Sequence, residues 1–390
     1  MIEIQDKHKC CGCEACVQIC PKHCISFEED SEGFRYPFVE NSTCIECGLC
    51  EKVCPVLHQA ESLKPIKVYA AQNINEEELL ASSSGGLFIL LAKKTLQDGG
   101  IVFGAKFDKD WNVIHSKAET QEDVKSFMGS KYVQSRIGNT YAQAKGFLKQ
   151  GRKVLYTGTS CQIAGLKNFL QKDYENLLTV DVICHGVPSP LVWRKYLKEL
   201  KHNAQVEGIS FRDKRTGWKK YSFALTLAEA SADGKKNTVS LSHIASEDPY
   251  MQLFLRNLIL RPSCYQCPAK NGKSQSDLTI ADFWGIERCH PNFDDERGVG
   301  LMMVNSEKGK QAIQSLPLNL LEVTFEDAIA SNPVYKRSVI EPQKRRKCFR
   351  ILNKSHKALD KDAEIIFMPP FEIRIKQRIL RILRHIKSFF

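Results

Sequence analysis

Cys10-Cys-Gly-Cys13-Glu-Ala-Cys16-Val-Gln-Ile-Cys20-Pro21 is answered downstream by Cys44-Ile-Glu-Cys47-Gly-Leu-Cys50-Glu-Lys-Val-Cys54-Pro55. Both stretches have the spacing Cys-x2-Cys-x2-Cys-x3-Cys-Pro. A 4Fe–4S cubane needs four thiolates at the corners of a tetrahedron. Three close cysteines wrap one face through a tight loop, and a distant cysteine closes the cage. Where the run occurs twice, the fourth cysteine of each run serves the other cluster. The spacing therefore assigns Cys10, Cys13, Cys16 and Cys54 to one cluster, and Cys44, Cys47, Cys50 and Cys20 to a second. Cys11 and Cys24 fall outside the pattern and read as buried, inert thiols.

Zinc is the competing use of dense cysteines. Structural zinc sites pair two CxxC knuckles, four ligands per ion. They do not use this run, and chance does not repeat it with its proline. Between the runs, Ile25-Ser-Phe-Glu and Phe34-Arg-Tyr-Pro-Phe-Val read as strands around a turn at Asp30-Ser-Glu-Gly33. Each run is expected to end near a short helix, with the proline stopping the chain from continuing inward. Residues 1–60 thus read as a ferredoxin-like domain with two 4Fe–4S clusters. Residues 1–58 carry 10 acidic and 5 basic side chains. That suits an electron carrier facing a partner, and equally an ordinary solvated surface.

The 390-residue chain is 43% hydrophobic and 26% charged, which is globular composition and excludes bulk disorder or a fibrous repeat. Its length suits two or three domains. A membrane-spanning helix needs about 20 apolar residues, and the longest apolar run is about that of Leu87 to Ala92. The N-terminus lacks the basic and apolar regions of a secretory signal. Sixteen cysteines without such a signal argue for metal or redox chemistry over disulfides, and for a cytoplasmic location. The net charge of +11 is concentrated: residues 331–390 hold 16 Lys/Arg against 5 Asp/Glu. The rest is neutral. This argues against a body that binds nucleic acid specifically and for a basic tail with its own role.

From Val68 onward, strand-like and helix-like stretches alternate, which indicates an α/β domain. Strands are expected at Ile101-Val-Phe-Gly-Ala-Lys-Phe, Lys153-Val-Leu-Tyr-Thr, Leu177-Leu-Thr-Val-Asp-Val-Ile and Leu278-Thr-Ile-Ala. Helices are expected over 87–97, 140–149 and 162–171. No GxGxxG lies between a strand and a helix, so a Rossmann nicotinamide site is not supported. Ser82-Ser-Ser-Gly-Gly86 before an apolar helix offers hydroxyls, close backbone approach and free N–H groups to a phosphate. It reads equally as an N-cap with a glycine turn. Cys161 and Cys184 each follow a strand, and Cys264-Tyr-Gln-Cys267 forms a CxxC pair. Strand ends of an α/β sheet gather at one edge, so these four thiols allow a third cluster. On spacing alone, a lone CxxC also reads as a zinc knuckle or as nothing.

Taken together, these blocks resemble the beta-subunit family of coenzyme F(420) hydrogenases and dehydrogenases, fused to a two-cluster ferredoxin module. The resemblance covers about residues 1–335. It is carried by the double cysteine run, Ser82-Ser-Ser-Gly-Gly86, Gly129-Ser-Lys-Tyr132, Thr157-Gly-Thr-Ser-Cys-Gln162, Ile183-Cys-His-Gly186, and Cys264-Tyr-Gln-Cys267 with Asp277-Leu-Thr-Ile-Ala-Asp-Phe-Trp-Gly285 behind it. It implies an FAD in the α/β domain with a 4Fe–4S cluster beside it, ligated by Cys161, Cys184, Cys264 and Cys267. By motif it makes Ser84, Gly85, Gly86 and Lys131 flavin contacts. Lys131 also reads as a solvated lysine, and Asp282 and Trp284 as a strand end. His185-Gly-Val-Pro188 stands where the family pattern has a glutamate-bearing block, which puts deazaflavin specificity in question. His185 reads as a proton relay or as a hydrogen-bonded structural histidine.

The expected organisation is α+β: a ferredoxin-like 2x4Fe–4S domain (1–60), an F(420) hydrogenase beta-subunit-like FAD and iron–sulfur α/β domain (61–355), and a C-terminal amphipathic helix in a basic tail (356–390). The resemblance implies an oxidoreductase. It would pass electrons between an organic two-electron substrate at FAD, coenzyme F(420) or another, and a one-electron partner through 4Fe–4S clusters. The alternative is a flavin-free polyferredoxin with a docking domain. In the tail, Ile375, Ile379, Ile382, Leu383, Ile386, Phe389 and Phe390 recur at helical spacing opposite Arg374, Lys376, Arg378, Arg381, Arg384 and Lys387. Such a helix suits an anionic membrane surface, here the inner face, or a packing partner. The upstream run Lys344-Arg-Arg-Lys347 would add attraction.

Overall fold

The computed structural model describes residues 1–202, 204–230 and 236–368. The tail helix expected over 371–390 lies outside the described residues. At the N-terminus, β1 (Ile25–Glu29) and β2 (Arg35–Val39) form an antiparallel hairpin, with Ile25 opposite Val39 and Glu29 opposite Arg35. Short helices, Ala15–Ile19 and Leu49–Lys52, follow the two cysteine loops. The hairpin tip seats on the body. Gly33 has φ +83°, and a Cβ there would fall 2.3 Å from Leu191 Cβ.

The body is built on β3 (Lys67–Asn73), β4 (Ile101–Phe107), β5 (Val113–Ala118), β6 (Val154–Thr159), β7 (Leu177–Val182), β8 (Gln205–Asp213), β9 (Ser222–Ala230), β10 (Lys236–Ile244), β11 (Leu278–Asp282), β12 (Gly300–Val304) and β13 (Leu318–Glu322). Eight of these make one sheet in the order β13-β3-β12-β11-β7-β6-β4-β5. Its centre, β11-β7-β6-β4, is parallel. β12 runs antiparallel between β11 and β3. The central strands begin as apolar runs because both faces are covered; Ile101, Val102 and Phe103 are wholly buried.

The helices Leu87–Gln97 and Thr140–Lys149 have the bounds that periodicity predicts. The helix expected from 162 starts earlier, as Ser160–Leu170. Thr159 and Gln162 there form a reciprocal capping box that fixes the earlier start.

The sequence pattern gave no sign of the second sheet, β10-β9-β8. It packs with the helices Pro190–Lys201 and Pro249–Leu255 around Trp193, Phe211, Phe223 and Tyr250. Two further helices, Arg345–Lys354 and Leu359–Phe367, close on that core through Phe349, Leu359 and Ile366. The basic run at 344–347 is therefore not all surface. Arg345 is buried and pairs with Glu32 of the hairpin while donating to the Leu260 carbonyl. Its charge is spent joining module to body rather than attracting a membrane. Among the described residues, no helix is long and apolar enough to cross a membrane.

Candidate functional site

The two cysteine loops share a backbone device. Left-handed residues stand two and four places after the first cysteine of each run: Gly12 (φ +70°) and Glu14 (φ +58°), then Glu46 (φ +51°) and Gly48 (φ +70°). Each loop thereby turns its close thiols toward one side. Cys16 lies within electrostatic reach of Cys10 and Cys54, and Cys13 of Cys16 and Cys54. Cys50, assigned by spacing to the second cluster, acts on Cys16 and Cys54 as well, so the two sets of thiols lie side by side. Cys20, Cys44, Cys47 and Cys50 line one hollow together, which is the second quartet. Cys24 lines the same hollow, its Sγ 3.4 Å from that of Cys20. Cys47 alone of these eight is exposed.

The body thiols also converge. The carboxyl ends of the parallel strands share one edge. There Cys161 sits in the first turn after β6, and Cys184 two residues after β7. Cys264 lies in the 3-10 turn Pro262–Gln266, with Cys267 just beyond it. Cys161, Cys184 and Cys267 all act on Cys264. Burial, opposed by Lys270 and reinforced by Cys161 and Cys267, pushes the Cys184 thiol up to about 12. Burial and Cys161 push Cys267 up to about 11. Four such thiols ionise together only on a cationic group, which deprotonates its ligands outright.

A cluster and a single ion ask different spacings of four thiols. A Zn–S bond of about 2.3 Å sets tetrahedral sulfurs about 3.8 Å apart. A cubane gives each thiolate its own iron and so spreads the sulfurs wider.

Three residues near these thiols carry no spacing signal. Cys11 lies against Cys13 on one side and Cys161 on the other, joining the two thiol groups. Lys270 donates to the Cys184 carbonyl at 2.5 Å. Arg261 donates to the Cys10 carbonyl at 2.7 Å. Two further residues have a structural use. His185 bonds Asn257 Oδ1 at 2.6 Å and meets Phe254 edge-on, and burial lowers its pKa. Asp282 receives both guanidinium nitrogens of Arg212, at 2.7 and 3.0 Å, and Trp218 Nε1 at 3.1 Å.

The predicted flavin contacts gather at the same sheet edge, with most of their polar groups engaged. Ser84 Oγ donates to the Val299 carbonyl at 2.9 Å. Lys131 Nζ donates to the carbonyls of Phe127, Met128 and Gly129, and burial pushes its pKa down to about 7. It is therefore not a solvated lysine. Gly85 has no room for a side chain, since a Cβ would fall 2.3 Å from the Ala71 carbonyl oxygen. Gly86 (φ +74°) opens the helix Leu87–Gln97 with no side-chain cap, leaving first-turn N–H groups without a side-chain partner. Arg212 contacts this loop through the Ser83 carbonyl, and its Nε is buried without a partner. The uncapped helix and the orphaned Nε together fit an anionic group such as a pyrophosphate.

Comparison with known proteins matches two segments of the chain. Residues 9–57 match the family model of the 4Fe–4S dicluster domain. Residues 151–324 match the model for the C terminus of the coenzyme F420 hydrogenase/dehydrogenase beta subunit. An uncharacterized protein of Methanocaldococcus jannaschii is 24% identical over 207 residues, covering 45% of this chain and 56% of that protein. The chain thus spans about half the length of this curated relative. A ferredoxin of Streptomyces griseus is 30% identical over 87 residues, covering 22% of this chain and 71% of the ferredoxin. A structure of the F420-reducing [NiFe] hydrogenase complex from Methanosarcina barkeri superposes with a TM-score of 0.45 at 15% identity, over 70% of this chain and 88% of that one. The N-terminal part of the chain is an iron–sulfur domain of the ferredoxin type. More particularly, the chain joins a 4Fe–4S dicluster domain to a segment, 151–324, that is similar to the C terminus of the coenzyme F420 hydrogenase/dehydrogenase beta subunit.

Proposed function

We propose that the chain is a flavin-dependent iron–sulfur oxidoreductase that exchanges electrons between an organic two-electron substrate and a one-electron partner. The observation that carries this reading is the convergence of Cys161, Cys184, Cys264 and Cys267 at the carboxyl edge of the parallel sheet, against Cys11 and Cys13 of the ferredoxin module. In this reading the four body thiols hold a third 4Fe–4S cluster. Cys10, Cys13, Cys16 and Cys54 hold the next, and Cys20, Cys44, Cys47 and Cys50 the outermost. The buried thiols of Cys10, Cys13, Cys16 and Cys54 keep water from that middle site, and the body thiols are partly buried. Exposed Cys47, with Ile45 exposed beside it, brings the outermost site within reach of a partner protein.

FAD would be held at the edge formed by residues 83–86, Lys131 and Arg212. Bound there, it would supply the exchange between two-electron and one-electron chemistry that clusters lack. The open turn of Leu87–Gln97 would face its phosphates, Arg212, its charge already paired with Asp282, would offer only its Nε as a donor, and Lys131 would keep the 127–131 loop in place. The engaged groups of Ser84 and Lys131 support the rival reading, a flavin-free electron carrier. The substrate is coenzyme F(420) or another organic hydride carrier. The sequence of the tail supports peripheral contact with an anionic membrane. Deleting 371–390 should release the protein from anionic vesicles, and unchanged co-sedimentation refutes that contact.

The test of the main reading is anaerobic reduction of the purified chain by a one-electron dye, followed in the flavin absorbance. Bleaching that Cys264→Ser slows tenfold or more supports it. Bleaching at an unchanged rate, or no flavin to bleach, contradicts it.

A further inference from the structure

Arg261 is wholly buried. A buried guanidinium is costly unless its charge is compensated. Among the described residues no carboxylate lies within ion-pair distance of it, and the nearby Glu14 is 3.6 Å from Arg35 instead. Its donors go to neutral or sulfur acceptors: the Cys10 carbonyl (2.7 Å), Gln134 Oε1 (3.0 Å), the Arg35 carbonyl (2.9 Å) and Cys10 Sγ (3.5 Å). The Tyr36 ring lies 4.3 Å from the guanidinium carbon.

The chain makes room for this group. A Cβ on Gly12, inside the first cysteine loop, would fall 2.9 Å from the guanidinium carbon and 2.6 Å from Gln134 Nε2. Arg261 also lies three residues before Cys264, and the charges acting on it include both Cys10 of the module and Cys264 of the body. Iron bound by Cys10 would turn that sulfur, 3.5 Å from Arg261 Nη2, into a thiolate and so supply the missing counter-charge.

We propose that Arg261 is the counter-ion shared by the cluster of Cys10, Cys13, Cys16 and Cys54 and the third cluster, and that it holds the reduction potential of the former up. Adding an electron makes a cluster more negative, and a fixed cation beside its sulfur stabilises the reduced form more than the oxidised one. Cluster potentials respond to net charge and to hydrogen bonds on sulfur. Without Arg261, the site next to the third cluster would be a harder electron acceptor. Arg261 is thus a positioning and potential-setting residue. The proposal rests on the cluster reading above.

The test is a potentiometric titration, followed by electron paramagnetic resonance, of the full chain purified anaerobically with iron and sulfide counted. Arg261→Gln with full iron should disfavour reduction of the Cys10 cluster at least tenfold, about 59 mV more negative for one electron. Arg261→Lys, which keeps the charge, should recover most of the difference. Potentials unchanged in Arg261→Gln, or lowered as much in Arg261→Lys, overturn the proposal. If Arg261→Gln loses iron, Gln134→Glu decides. It keeps the guanidinium but pairs it with a carboxylate, so it should lower the same potential, and an unchanged value overturns the idea. A wild-type chain with no cubane iron refutes the cluster reading instead, and the iron count separates the two failures.

Discussion

Asp282→Ala measures how much of the candidate flavin edge depends on one buried ion pair. Asp282 holds both terminal nitrogens of Arg212, at 2.7 and 3.0 Å, and Trp218 Nε1 at 3.1 Å. The Arg212 side chain is 2% exposed and its Asp282 partner 17%. Against burial, the largest influence, Asp282 holds the guanidinium above its ordinary pKa. The pair also organises its surroundings. Arg212 bonds the Ser83 carbonyl and the Tyr132 hydroxyl, and lies 4.0 Å from the Tyr221 ring centre. Removing one member of a buried pair leaves an uncompensated charge, at a cost of about 3–5 kcal/mol. That is a large part of a typical stability of about 5–15 kcal/mol. Asp282→Ala should lower the urea midpoint accordingly and strip flavin from the chain, while the ferredoxin-type cluster signals remain. Asp282→Asn keeps an oxygen acceptor and should lose less. The stacked Trp218 and Trp284 rings, 5.2 Å apart, give a local fluorescence reporter. A loss below about 1 kcal/mol, the level of an exposed pair, would refute the reasoning.

Cys264→Ser should remove about four irons per chain, the content of one cubane, and leave the two ferredoxin-type signals; full iron retention refutes the third site. Gly85→Ala should destabilise the chain by about 1–3 kcal/mol, because the added Cβ meets backbone at 2.3 and 2.5 Å. Wild-type urea stability in that variant would mean that this packing role is wrong. His115 is buried and neutral, its pKa lowered to about 4 by burial, and it bonds the Thr157 carbonyl and Ser135 Oγ. Between its folded pKa and the unfolded value near 6.5, the unfolded chain binds the extra proton. Its contribution, about 3 kcal/mol, is therefore present above about pH 6.5 and is lost as pH falls toward about 4. Urea unfolding across that range should show a slope that His115→Gln flattens by about one proton; an unaltered slope assigns the acid sensitivity elsewhere.

What the sequence disclosed follows from where its signals are local. The cysteine runs name their own chemistry because the geometry of a cubane fixes the spacing. The central strands and the helices Leu87–Gln97 and Thr140–Lys149 were legible because burial on two faces or one stripe writes a period into the chain. The sheet of β8, β9 and β10 was not, since its long strands mix polar and apolar residues and take their core from distant Trp193 and Tyr250. Arg261, Lys270 and Arg212 were equally invisible. A lysine or arginine in a sequence reads as surface, and only the fold brings Arg261 to Cys10 or Arg212 to Asp282. Cys11 is buried, as expected of a thiol outside the pattern, and only the fold reveals that it lies between Cys13 and Cys161.

The central claim is that three thiol quartets and a flavin edge form one electron-carrying chain. Iron, acid-labile sulfide and flavin counted per chain after anaerobic purification test it most directly. The account predicts about twelve irons, matching sulfide and one flavin. About eight irons without flavin would contradict it, leaving the ferredoxin module loaded and the α/β body without a redox role.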